Sequence, residues 1–301
     1  MKPVIGGQAI IEGVMMQNGD RIAVAVRRQS DGEILIRPLP ARFRFKKLGR
    51  IPFVRGLFRL YDMMSLGLRA LNLSTELAFP EDEQMGKGGT FLTFAIAIVI
   101  AIGAFMVLPV YLTGFIPGLT SGNSIVFNLV EGLLRMSFFF VYLLLISRMK
   151  DIHRVFQYHG AEHKVVHAYE ADEELTVENA QKHTTLHPRC GTAFLMTVFV
   201  IAILIFSIAG KPPSIWIRVL SRLLLLPVVA GVSYEALRFT GRNYNRWWVR
   251  ALAQPGLWLQ KLTTAEPDDG MVEVAIASMK QVADPLQSVA EDSNEPVVPA
   301  V

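Results

Sequence analysis

All six histidines of this 301-residue chain, His153, His159, His163, His167, His183 and His187, lie in one stretch, and the single cysteine, Cys190, closes it. Imidazole and thiolate are the side chains that hold borderline and soft metals and that move protons near neutral pH. Independently scattered histidines would not gather this way, so the pattern points to a divalent metal, with zinc the first candidate for such ligands.

The centre of the stretch reads His159-Gly160-Ala161-Glu162-His163-Lys164-Val165-Val166-His167-Ala168-Tyr169-Glu170. On a helix, residues four apart are displaced by only about 40° and roughly 6 Å along the axis. His159 with His163, or His163 with His167, can therefore share one ion. His159 and His167, about 12 Å apart along that axis, cannot easily reach the same one. The order implies a chosen pair, a helix break near Gly160, or two metals.

His159-x-x-Glu162-His163 has the H-x-x-E-H spacing of inverzincin metalloproteases. In that chemistry two histidines hold zinc and the glutamate activates its bound water. A third protein ligand is then required, and Glu170 and Glu12 are candidates. A second constellation, His187-Pro188-Arg189-Cys190, places imidazole and thiol three apart. Together with His163 and His167 it makes a four-ligand tetrahedral set, which would be closed and structural, whereas three ligands and a water would be catalytic. Arg189 is suited to an anionic substrate group or a lipid phosphate. His153 and His183 read as structural.

The elements that must position these residues are largely membrane-like. The chain is 51% hydrophobic and only 19% charged, which is apolar for a soluble domain. No charge occurs from Thr90 to Val130, and Phe91 to Thr113 alone is long enough to cross a bilayer. Further apolar runs cover Ile125 to Ser147, Gly191 to Ala209 and about Ile215 to Phe239, the last containing Arg218, Arg222 and Pro227. Four crossings are expected, with the histidine segment, residues 148–190, between the second and third. Glu131 and Arg135, four apart on one face of the second run, read as an intramembrane ion pair.

Fourteen Lys and Arg residues precede the first run, including Arg42, Arg44, Lys46, Lys47 and Arg50. Six more separate the second and third runs, and none lies between the first and second. By the positive-inside rule both termini and the histidine segment are cytoplasmic. Met1 to Gln8 lack the apolar stretch of a signal peptide. A lone cysteine suits that reducing face. The net charge of +4 is accounted for by topology and attraction to an anionic lipid surface, and no nucleic-acid motif accompanies it.

Residues 1–89 read as a small cytoplasmic unit. Asp20 to Leu39 alternates as a β-hairpin about Ser30-Asp31-Gly32-Glu33. An amphipathic helix follows over Pro52 to Asn72, with Phe53, Leu57, Leu60, Met64 and Leu68 on one face, suited to the membrane surface. After the four-span region, 90–239, interfacial and cytoplasmic helices occupy 240–283, the last starting at Asp268 or Asp269 and running through Lys280. The acidic, proline-bearing stretch 284–301 reads as disordered. The fold class is thus a mainly α membrane protein with a small β-containing N-terminal unit.

Four blocks, Gly6 to Met16, Tyr158 to Lys164, His167 to Glu170 and His187 to Thr192, resemble those of the YqhQ family, and the likeness runs from about Lys2 to Lys280. That is a bacterial membrane family without an assigned function, described as metal-dependent enzymes by inference. The resemblance implies that Glu12, His159, Glu162, His163, His167, Glu170, His187, Arg189 and Cys190 belong to the family signature, and it supplies no reaction. The leading expectation is a zinc-dependent hydrolase with His159 and His163 as ligands and Glu162 as general base. The second is a membrane scaffold stapled by zinc through His163, His167, His187 and Cys190, which binds a membrane-protein complex such as the insertion machinery. Substrate and oligomeric state stay open.

Overall fold

The computed structural model describes residues 3–41, 51–80, 87–119, 122–212 and 214–283. Arg42, Arg44, Lys46, Lys47 and Arg50, and the stretch 284–301, lie outside the described residues.

The chain opens with an antiparallel meander of four strands: β1 (Gly6–Ile10), β2 (Gly13–Asn18), β3 (Arg21–Arg27) and β4 (Ile34–Pro38), in that spatial order. The expected hairpin is its second half. The glycine-punctuated opening, which carries no clean alternation, supplies β1 and β2. Gly13 is demanded by close approach: a Cβ there would lie 2.2 Å from the Ala25 carbonyl oxygen. Strand alternation gives the sheet two apolar faces. Val14, Met16, Ala23 and Ala25 bury against one layer of helices, and Met15, Ile22, Val24 and Val26 against another.

The second layer is α1 (Val54–Ala78), which presents Leu66, Ala70 and Ala78 to the sheet. The stripe containing Leu57, Met64 and Leu68 is on its exposed side. The first layer comes from far along the chain: α5 (Lys150–Glu170) lies over β1, and α10 (Asp269–Ala283) over β2 and β3. Asp268 caps α10, its Oδ1 accepting the Met271 N–H at 2.8 Å.

Among the described residues, four helical segments are long and apolar enough to cross a membrane. The first comprises α2 (Lys87–Ile102), a π-helical turn at Gly103–Val107 and α3 (Leu108–Thr113); the others are α4 (Ser124–Ile146), α7 (Thr192–Ala209) and α8 (Ile215–Arg242). Within them Glu131 accepts from Arg135 at 2.7 Å and from Arg222 at 3.3 Å. Arg135 also donates to the Phe105 carbonyl at 2.8 Å, which belongs to the π turn, where the widened ladder offers carbonyls to side chains. A short helix, α6 (Val177–Gln181), and α9 (Trp247–Thr263) complete the chain. They frame the loop that carries His183, His187 and Cys190.

Candidate metal centre

α5 starts directly after α4 and carries His153, His159, Glu162, His163, His167 and Glu170 in one uninterrupted helix. Gly160 does not break it. A Cβ there would lie 2.1 Å from the Ala265 carbonyl oxygen, so glycine instead lets the α9–α10 connection lie on the helix. That contact brings the Thr263 carbonyl to His159 Nδ1 at 2.8 Å.

The loop after α5 returns across the same face. Gln260 of α9 clamps it: its Oε1 accepts the His187 N–H at 2.8 Å and its Nε2 donates to the His187 carbonyl at 2.9 Å. The returning backbone places the Thr185 carbonyl against His163 Nδ1 and the Leu186 carbonyl 2.9 Å from His167 Nε2. Cys190 then sits at the start of α7, its Sγ 3.1 Å from His159 Nε2 and 3.4 Å from the Thr192 N–H.

These bonds set tautomers. A carbonyl accepts only from N–H, so His159 and His163 each carry the proton on Nδ1 and turn a lone pair outward from Nε2. Metal-ligating histidines are commonly held by such a partner on the other nitrogen. His163 Nε2 is buried and has no hydrogen-bond partner. A buried polar atom left unpaired costs about 1–3 kcal/mol, and a cation would satisfy it. His159, His163 and Cys190 offer one ligand atom each within 4.8 Å of one another. Two imidazoles and a thiolate form a zinc-type donor set with a fourth position to spare.

Glu162 lies against this trio, its Oε2 3.9 Å from His163 Nε2 and 4.0 Å from His159 Nε2. Burial raises its pKa, partly opposed by His159 and by the Gly7 N–H that donates to it. Gly7 is required at that point, because a Cβ would come within 2.7 Å of Glu162 Cγ. The N-terminal strand thus touches the carboxylate through bare backbone.

His167, Glu170 and His187 form a second close group, so the structure does not gather His163, His167, His187 and Cys190 into one tetrahedral set. His187 is differently prepared from the first pair. Its Nδ1 accepts the Arg189 N–H at 3.3 Å, which leaves the proton on Nε2, directed toward Glu170 Oε2 at 3.6 Å. Burial and the neighbouring His167 and His163 push its pKa down to about 3. His167 is lowered as well, chiefly by burial. The Arg189 guanidinium is paired with Glu170.

Glu12 is not brought into either group. It stands at the two-residue β1–β2 connection with φ 51°, and its carboxylate receives Arg154 Nε at 2.7 Å and the Tyr158 hydroxyl at 3.4 Å. It faces α5 one turn earlier and anchors the sheet to that helix. His153 is exposed, and His183 pairs with Glu173 at 3.0 Å. Sequence reasoning missed Gln260 and the Thr263 and Thr185 carbonyls. The only available signal was a glutamine within the apolar helix α9, where it is fully buried.

A cleft of about 390 Å³ opens on the centre, lined by Glu162, His163, His187, Arg189 and Cys190 on one side and by Val4 to Gln8 on the other.

Comparison with known proteins places this arrangement in a family. Residues 51–285 match the family described as "Protein of unknown function (DUF1385)". The chain is 34% identical over 310 residues to "Uncharacterized protein YqhQ" of Bacillus subtilis (strain 168), spanning 98% of this chain and 96% of that one. No solved structure matches. The chain therefore belongs to the DUF1385 family, the YqhQ family of unknown function.

Proposed function

We propose that this protein is a zinc-dependent hydrolase of the bacterial cytoplasmic membrane, with its site on the cytoplasmic face. The observation that carries the reading is the pair of histidines whose Nδ1 protons are tied to backbone carbonyls while Nε2 of each turns toward Cys190 or stands unpaired. When bound, zinc supplies Lewis acidity and lowers the pKa of a coordinated water. His159, His163 and Cys190 would hold it.

Glu162 is placed as general base. It is buried beside both imidazoles, burial raises its pKa and so makes it a stronger proton acceptor than an ordinary carboxylate, and the Gly7 N–H orients its carboxylate. His187 offers a neutral N–H beside the same cleft, and Glu170 and Arg189 hold each other in place along its rim. The two-residue-type division, thiolate and imidazole for the ion and carboxylate for the proton, is that of a catalytic rather than a closed site.

Four apolar helices, with the basic residues gathered before the first and between the second and third, support a centre next to an anionic lipid surface. The test uses full-length protein purified without tag histidines and a chromogenic ester. About one zinc per chain is expected, with Glu162→Gln retaining zinc and fold while ester turnover falls to background. A Glu162→Gln protein that keeps full turnover overturns the reading.

A further inference from the structure

We infer that the substrate is an acyl ester of the bilayer's own lipids, drawn sideways into the cleft along α1. This rests on the hydrolase reading and names its substrate class.

Two positions set the cleft at the boundary of the bilayer. Cys190 stands two residues before Thr192, where α7, one of the membrane-length helices, begins. The start of α1 is docked on the end of α8: Arg55 Nε donates to Glu235 at 2.6 Å, and a Cβ at Gly231 would collide with the Phe53 carbonyl oxygen. At about 1.5 Å per residue, Gly231 and Glu235 lie roughly 24 and 30 Å along α8 from Ile215. That is the far boundary of a hydrocarbon core about 30 Å thick. A short connection joins α7 to α8, so the start of one helix and the end of the other share that boundary.

The cleft links this level to the histidine centre. Met63 of α1 lines it, as does Met15, which belongs to the sheet face that α1 covers. Glu162, His163 and Cys190 line it from the other side, and Val4 and Ile5 add apolar lining. At Gly67 of α1 a Cβ would lie 2.8 Å from Gln8 Oε1, so the helix closes directly on the strand that borders the cleft.

The apolar lining continues outside. At about 100° per residue, Leu60 falls between Met63 and Met64 around α1, and Leu57 follows. No charged residue of α1 shares that arc. Met63, Met64, Leu57 and Leu68 are exposed. A helix that starts at the bilayer boundary and exposes an uncharged apolar face is complementary to acyl chains, and this face reaches the cleft at Met63 without crossing a charge. The cleft, about 390 Å³, is at the small end of ligand pockets. It takes an ester group and the methylenes next to it, while the rest of a long chain lies along α1. A polypeptide fits less well, because the Gly7 N–H is already given to Glu162 and apolar side chains offer a peptide backbone no partners.

In the proposed reaction water adds to the ester carbonyl carbon, Glu162 takes the water's proton and passes it to the departing alkoxide oxygen, and the acyl C–O bond breaks to leave a fatty acid and an alcohol.

The test uses the full-length, zinc-loaded Glu162→Gln chain in phosphatidylglycerol nanodiscs that contain a phosphatidylglycerol with a diazirine beside its acyl ester. After irradiation, cross-links are mapped by mass spectrometry. Labelling of Val4, Ile5 or Met63 is expected. Met63→Asp, a change at an exposed helix position, should lower labelling of Val4 and Ile5 about tenfold or more, and Met63→Leu should keep it. In the chain with Glu162 intact, phosphatidylglycerol releases fatty acid, and Met63→Asp lowers the ratio of that rate to turnover of a soluble acetyl ester about tenfold or more. Acetyl ester turnover with cross-links confined to the spans and the outer stripe of α1, or with casein cut and phosphatidylglycerol left intact, overturns the lipid proposal and leaves the hydrolase reading standing. Labelling of the cleft with neither ester hydrolysed supports lipid entry and overturns the hydrolase reading.

Discussion

Among the described residues, the polar cluster between the apolar helices and the histidine centre are both buried, and they are built on opposite terms. Between the apolar helices, Glu131 receives Arg135 and Arg222, Asn128 receives Arg222, and the Phe105 carbonyl receives Arg135. Arg222 Nη1 has no acceptor, but the guanidinium lies over the Phe206 ring with Cζ 4.6 Å from its centroid. The cluster is close to self-sufficient, as charge in an apolar surrounding must be. In the histidine centre backbone carbonyls hold the His159 and His163 rings through Nδ1, while His159 Nε2 meets only the Cys190 thiol and the buried Nε2 atoms of His163 and His187 stay unpaired. Saturated networks hold helices together; a network that orients atoms and leaves them unpaired is prepared for a ligand.

The comparison can be broken from either side. The largest effect is expected at the base: Glu162→Gln should lower ester hydrolysis by about 10²–10⁴-fold while the unfolding midpoint in detergent stays near that of the parent, because glutamine can still accept the Gly7 N–H. Next, Glu131→Ala strips the carboxylate from two buried guanidiniums and should cost about 3–5 kcal/mol, read as a large fall in thermal midpoint with zinc content unchanged. If Glu131→Ala proved harmless and Glu162→Gln unfolded the chain, the contrast would be reversed. Smaller again is the clamp. Gln260→Ala removes both bonds to His187 and should weaken zinc binding by about 10–100-fold, measured by competition with a chromogenic chelator.

The smallest effect is a pH dependence in metal-free protein. The folded pKa of His187, about 3, lies below its ordinary 6.5. Its neutral ring therefore favours folding above about pH 6.5, and that contribution is lost as pH falls toward 3. Parent protein should lose more stability over that window than His187→Asn, with the carboxylates common to both cancelling in the difference.

Much of the scaffold was legible in the sequence because it depends on local periodicity. The apolar runs mark the four membrane-length helices to within a few residues, and the Asp268-Asp269 pair announces the cap of α10, which Asp268 supplies. The first two strands were not, because Gly6, Gly7 and Gly13 erase alternation for reasons that lie elsewhere: Gly7 makes room for Glu162, and Gly13 for the backbone of β3. In the site, residue types could be read and their partition could not. Which histidines turn Nε2 outward is decided by carbonyls at Thr185 and Thr263 and by Gln260, up to about a hundred residues away in the chain. Glu12 shows the same limit, since a left-handed turn directs it to Arg154 instead of the histidines.

The central claim is that His159, His163 and Cys190 hold one zinc. Elemental analysis of untagged, full-length protein, with His163→Ala and Cys190→Ser beside it and folding checked by circular dichroism, tests it most directly. About one zinc per parent chain, lost from both folded variants, is the predicted result. A folded parent chain with no bound metal, or full zinc occupancy in both variants, would contradict it.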